Sequence, residues 1–139
     1  MNVLLTRSVD VRWGDMDAFG HVNNTAYFVY CESARIAFFE HVDLESYAEE
    51  GKQLGPALAT ASCAFRQQVH YPAKLEVDVG CSRVGGSSFT LTYRLRRAGQ
   101  EDVVAEGESV VVWTDYAIGR STPLPADLRS LLDPDPEVA

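Results

Sequence analysis

Val9, Val11 and Trp13 alternate with Ser8, Asp10 and Arg12, the period of two expected of a strand with one buried face. The pattern breaks from Gly14 to Asn24, a polar stretch punctuated by Gly14 and Gly20 that reads as a loop. A helical period then takes over. Tyr27, Tyr30, Cys31, Ala34, Ala37 and Phe38 share one face, and Asn23 or Asn24 is placed to cap its start. Phe28, Ile36 and Phe39 lie toward another side, leaving Glu32, Ser33, Glu40 and His41 as the polar remainder. So apolar a helix is expected to be covered on more than one side.

Asp43 to Leu54 is polar and predicts a short helix or turn. An extended run follows from Ala57 to Tyr71, where Pro72, lacking a ladder donor, ends or bends the strand. Leu75, Val77, Val79 and Cys81 form the next alternating set, and Phe89, Leu91, Tyr93 and Leu95 another, separated by the turn Gly85-Gly86-Ser87. Ala98 to Asp102 is a further turn before a last strand from Val103 to about Thr114. Pro123, Pro125, Pro134 and Pro136 bracket a short helix near Asp127 to Leu132 and a frayed end. The class is α+β: an antiparallel sheet of about five strands with one long helix on its face. A single domain over residues 1–139 is expected, with 123–139 as a C-terminal short helix and tail.

Composition narrows the function more than the fold. The net charge of −8 leaves no basic excess to neutralise phosphates, which argues against nucleic acid as a partner. No apolar run reaches membrane-spanning length, and the N-terminus lacks a basic start and long apolar core. Cys31, Cys63 and Cys81 are odd in number and match no metal-ligand spacing, so each reads as a small buried hydrophobe in a reduced, cytoplasmic protein. Arg66, Lys74, Arg83, Arg94, Arg96 and Arg97 concentrate in the middle of the chain, where they could meet an anionic ligand or simply line solvated strand edges.

The candidate chemistry sits in the loop. Asp15, Asp17, His21, Asn23 and Asn24 fall together just before the helix start, where first-turn amides and an acidic side chain can converge on a carbonyl. Asp17 can act as nucleophile or general base; it can also simply cap the loop. Asp15 suits a supporting role, bonding loop amides. His21 could orient Asp17, hold a water or touch substrate, and Asn23 could bind substrate or cap the helix. The backbone N–H of Asn24 is placed to polarise a carbonyl. Asp15, Asp17 and His21 without a fourth ligand do not make a metal site. Thr60 and Ser62 could contact a substrate from the strand beside the helix.

Asp15-Met16-Asp17-Ala18-Phe19-Gly20-His21-Val22-Asn23-Asn24, with Tyr27, Glu32 and Arg35, resembles the signature of the 4-hydroxybenzoyl-CoA thioesterase family of hotdog-fold proteins. The similarity continues through Tyr71-Pro72 and Val84-Gly85-Gly86-Ser87-Ser88-Phe89, to about Tyr116. The resemblance implies a sheet wrapped round one long central helix, and hydrolysis of an acyl-CoA to the free acid and coenzyme A without cofactor. It maps the catalytic aspartate onto Asp17 and brings Ser87 and Ser88 toward the nucleotide end of coenzyme A, with His21, Asn23, Tyr27 and Ser62 as the further candidates for substrate binding. Some members lack the His-Val-Asn-Asn segment but keep the aspartate, which assigns chemistry to Asp17 and positioning to the segment. The resemblance also implies a homo-oligomer, dimer or tetramer, with sites between subunits. Two alternatives stay open: an acyl-carrier-protein thioesterase and a non-catalytic acyl-CoA binding module.

Overall fold

A computed structural model describes residues 1–133. The strands are β1 (Leu5–Val11), β2 (Leu54–Phe65), β3 (Ala73–Val84), β4 (Ser88–Arg97), β5 (Val103–Asp115) and the two-residue β6 (Arg120–Ser121). Two α-helices accompany them, α1 (Asn24–His41) and α2 (Ala126–Leu132), with short 3-10 turns at Trp13–Asp15 and Leu44–Tyr47. The sheet order is β1-β3-β4-β5-β2, antiparallel throughout, and β6 pairs with β5. The α+β class and the tight turns between β3, β4 and β5 follow the alternating pattern. The helix near Asp127 to Leu132 is α2; the frayed end expected beyond it falls on residues 134–139, outside the described residues.

Register explains the core. Val77 pairs with Leu95, Val79 with Tyr93 and Cys81 with Leu91, so apolar side chains from neighbouring strands stack on one face. That face carries Leu75, Val77, Val79, Leu91, Tyr93, Leu95, Val111 and Trp113, all buried, and α1 packs on it through Tyr27, Tyr30, Ala34 and Phe38. On the other face Thr6, Asp78 and Arg94 occupy one cross-strand row. Asp78 is only 2% exposed and accepts from Thr6 Oγ1 at 2.7 Å, Arg94 Nε at 3.1 Å and Arg96 at 2.8 and 2.9 Å. Burial opposes its ionisation, but the Arg96, Thr6 and Arg94 donors outweigh it and hold the carboxyl below its ordinary range.

Three expectations are corrected. Trp13 does not continue β1 on its buried face; it lies in the 3-10 turn and is 77% exposed. The long extended run divides at Phe65, and residues 66 to 72 leave the sheet edge as an irregular segment containing a cis Tyr71-Pro72 bond. The second apolar side of α1 is largely uncovered among the described residues: Phe28 and Ile36 are 40% and 48% exposed, as is Val29 at 47%, while Phe39 is half-buried against the core. Beside them β2 is an edge strand, exposed on both faces from Leu58 to Ser62. The burial of one signature residue was not foreseen. Arg35 is buried on α1, its guanidinium donating to the Tyr93 hydroxyl at 3.3 Å.

Candidate active site

Short backbone bonds shape the loop before α1. Asp17 N–H donates to His21 O at 3.0 Å, Gly20 N–H donates to Asp17 O at 3.1 Å, and Met16 bridges to Val22. Gly20 makes the reversal with φ +87°, a left-handed conformation that costs glycine little. The irregular segment after β2 clamps this miniature hairpin: Val22 N–H donates to Val69 O at 2.8 Å and His70 Nδ1 to Gly20 O at 2.7 Å. His70 could not be found from sequence, because its partner is a carbonyl fifty residues away in the chain.

Asp15 holds the loop to the helix. Its carboxylate is 8% exposed and accepts from Arg12 N–H at 3.0 Å, Arg12 Nη2 at 3.1 Å and the Tyr30 hydroxyl at 2.7 Å. Its carbonyl accepts from Asn23 N–H at 2.9 Å. Burial again works against the charge, but the Arg12 amide, Tyr30 and the Arg12 guanidinium prevail and lower its pKa. The same burial and the neighbouring carboxylate keep Tyr30 protonated far above its ordinary range. A donor that never ionises is therefore fixed against an anion that resists protonation.

The helix start resolves the choice of cap. Asn23 is the N-cap, its Oδ1 accepting from both Thr25 N–H and Thr25 Oγ1 at 2.9 Å. Ala26 N–H is taken by Asn23 O at 2.9 Å. Asn24 N–H, the first of the helix, has no acceptor among the described residues. An outward amide at the positive end of an 18-residue helix is a donor for developing negative charge.

Asp17 is half-buried, and its Oδ1 accepts from Phe19 N–H at 2.9 Å, an Asx turn that fixes the side chain. The second carboxylate oxygen has no partner among the described residues, which leaves it available as base or nucleophile. Asp17 opens onto a groove of about 560 Å³ shared with Trp13, Gly14, Met16, Gly20 and Tyr71. His21, Asn24 and Tyr27 line a neighbouring groove of about 150 Å³ with Phe65, Arg66, Gln67 and Gln68. The His21 ring does not bond the Asp17 carboxylate. Its ring stacks on Phe19 with centroids 6.5 Å apart, and its Nδ1 lies 3.5 Å from Val22 O.

The other sequence candidates lie elsewhere. Ser62 is exposed on β2 and lines a cavity between that strand and α1. Ser87 sits in the β3–β4 turn, its carbonyl accepting from Trp113 N–H at 2.8 Å, and joins neither loop groove. Three of the six mid-chain cations are committed: Arg94 and Arg96 to Asp78, and Arg97 to Gln67 and Gln68 at 2.9 and 2.6 Å. Among the described residues the Arg66 side chain, which lines the groove beside Asn24, makes only an exposed pair with Glu106 at 3.0 Å. Among the described residues no three His, Cys, Asp or Glu side chains converge to hold a metal ion, and no helix is long and apolar enough to cross a membrane.

The family model of the thioesterase-like superfamily matches residues 11–132. Among solved structures, the PA2801 protein of Pseudomonas aeruginosa is 38% identical, with a TM-score of 0.84 over 95% of this chain and 100% of that one. A 1,4-dihydroxy-2-naphthoyl-CoA thioesterase from Synechocystis shares the fold at 19% identity, with a TM-score of 0.78 over 91% of this chain and 93% of that one. The chloroplastic acyl-acyl carrier protein thioesterase ATL3 of Arabidopsis thaliana is 25% identical over 86% of this chain and 63% of its own length. This chain spans 56% and 63% of the lengths of the curated relatives it matches, the Bacillus subtilis protein YsmA and ATL3.

Proposed function

Since this chain belongs to the thioesterase-like superfamily, we propose that it is a thioester hydrolase of the hotdog fold that cleaves an acyl-CoA to the free acid and coenzyme A. The observation that carries the reading is the unpartnered Asn24 N–H at the helix start, with Asp17 on the hairpin leading into it and one carboxylate oxygen free. In this reading the thioester carbonyl accepts from Asn24 N–H, which stabilises the oxyanion as it forms. Asp17 either takes a proton from an attacking water or attacks the carbonyl itself, giving a mixed anhydride that water then opens. Coenzyme A leaves as thiolate. Tyr27, with Phe65 packed on it at 5.2 Å, provides an apolar wall for the acyl group, and His21 and Asn23 position the loop. Ser62 contacts the acyl end and Ser87 the nucleotide end.

The groove beside Asn24 is smaller than the roughly 300–1,000 Å³ of pockets that bury a drug-sized ligand. A second copy packed on the β2 edge and on Phe28, Val29 and Ile36 would enclose it, so the active form in this reading is a homo-oligomer with sites between subunits. The name of the Arabidopsis relative favours a second reading, an acyl-carrier-protein substrate with the same chemistry. A panel of acyl-CoA and acyl-carrier-protein thioesters, read by release of free thiol, separates the two. Asp17→Asn is expected to lower kcat at least about a hundredfold on the best substrate while binding persists. A folded Asp17→Asn protein hydrolysing at the parent rate overturns the assignment. Single turnover in heavy-oxygen water then distinguishes the routes, since label in the Asp17 carboxylate marks the anhydride.

A further inference from the structure

Between α1 and β2 lies a cavity of about 160 Å³, walled by Cys31, Arg35, Ser62 and Cys63 and floored by Tyr93 and Ser109. Two of its wall residues are thiols, one from each element. Cys63 is paired across the sheet with Gly107 of β5, and Gly107 is paired in turn with Tyr93 of β4. A Cβ added to Gly107 would stand 3.0 Å from Cys31 Sγ and 3.2 Å from the Tyr93 ring. The Cys31 sulfur therefore rests in the space that a side chain at Gly107 would fill. Directly paired residues project from the same face with Cβ atoms about 4.5–5.5 Å apart, so Cys63 stands beside that sulfur. Cys81, the third cysteine, is turned elsewhere, its thiol donating to Arg83 O at 3.4 Å.

We propose that Cys31 and Cys63 are a reversible disulfide site, whose closure ties α1 to β2 and shuts the cavity between them. The two thiols divide the chemistry unequally. Cys63 is half-buried, and the Cys31 thiol beside it lowers its pKa. Cys31 is buried, and the neighbouring Cys63 sulfur together with burial keeps it protonated. Cys63 is thus the thiolate that meets a hydroperoxide: its sulfur bonds to one peroxide oxygen, the O–O bond breaks, and hydroxide leaves. The Cys31 sulfur then attacks the Cys63 sulfenic acid, the S–O bond breaks, and the Cys31 proton departs with the hydroxyl as water. For hydrogen peroxide the balance is two thiols oxidised by two electrons and one peroxide reduced to two waters. A low-molecular-weight thiol reverses the bond by exchange.

The cavity follows α1 away from the helix start. The effect on activity rests on the reading above, in which the acyl group extends along α1 and β2 past Ser62. The test uses the full reduced chain, treated with hydrogen peroxide and then with dithiothreitol. We expect the intact mass to fall by about 2 Da, and a peptide map to join the Cys31 and Cys63 peptides. Acyl-CoA turnover should drop at least about tenfold and return on reduction. Cys63→Ser and Cys31→Ala should show no cross-link and keep their own activity through the same treatment, whereas Cys81→Ala should still cross-link. Peroxide treatment that leaves both thiols free, or links Cys81 instead, overturns the disulfide site. A cross-linked enzyme that turns over acyl-CoA at the reduced rate overturns closure of an acyl path. If no thioester is cleaved even by reduced protein, the functional reading fails, and mass and peptide map still decide the disulfide.

Discussion

Replacing Asp15 by Asn should separate a residue that holds the loop from one that performs chemistry. The Asp15 Oδ2 accepts from Arg12 N–H and from the Tyr30 hydroxyl, and Oδ1 accepts from Arg12 Nη2. An Asn carbonyl at the Oδ2 position keeps the first two bonds but makes them neutral. A bond to a charged group contributes about 1.5–3 kcal/mol and a neutral one about 0.5–1.5, so each should lose roughly 1 kcal/mol. The Arg12 guanidinium would face an amide donor, but it is 74% exposed and swings into water, costing at most about 1 kcal/mol. The sum is about 2–3 kcal/mol, read as a lower urea midpoint with unchanged slope. Asp15→Ala should cost more, about 3–5 kcal/mol, because it strands the buried Tyr30 hydroxyl and the Arg12 N–H. Tyr30→Phe should cost about 1.5–3 kcal/mol and couple to Asp15→Asn in a double-mutant cycle.

Acid supplies the second arm of this test. The folded pKa of Asp15 is depressed, so its stabilisation is fully present above the unfolded pKa near the ordinary 3.8. It disappears as pH falls below that value and through the folded pKa. The gap between parent and Asp15→Asn should therefore be widest near neutrality and narrow on acidification below about pH 4. Turnover should fall far less than in Asp17→Asn. A variant that keeps the parent midpoint within about 0.5 kcal/mol yet loses a hundredfold in turnover would refute the division of labour between the two aspartates.

Asp78→Ala should destabilise by about 3 kcal/mol, less than a fully enclosed pair, because Arg94 and Arg96 keep 36% and 18% side-chain exposure; urea unfolding checks this. Its contribution has the same sign as that of Asp15 and is lost in acid. Gly20→Ala meets no atom within 4 Å, so the left-handed φ alone should cost about 1–2 kcal/mol, confined to the hairpin and visible in amide exchange at Asp17 to His21. Light scattering at micromolar concentration should give a multiple of 15.3 kDa; an active monomer would remove the proposed intersubunit site. If Arg66 meets the coenzyme A phosphates, KM should rise with salt at nearly constant kcat, and Arg66→Ala should flatten that dependence.

Strand and helix identities were legible in the sequence because period-two and helical alternation are local properties, as in Phe89 to Leu95 and in Tyr27 to Phe38. So was the concentration of acidic and amide residues before α1, since Asp15 to Asn24 are close along the chain. Three decisions belonged to tertiary structure. The first is sidedness: Trp13 fits the alternation of β1, but only the 3-10 turn formed around Asp15 turns it to solvent. The second is pairing at a distance, which joins His70 to Gly20, Tyr30 to Asp15, and Cys63 through Gly107 to Cys31. No local pattern encodes these, because each partner is chosen by strand order and by where α1 crosses the sheet. The third is which apolar residues stay uncovered. Phe28 and Ile36 read as a second covered side, but one sheet can bury only one side of one helix, and β2, which runs beside them, is the edge strand with no neighbour beyond it among the described residues.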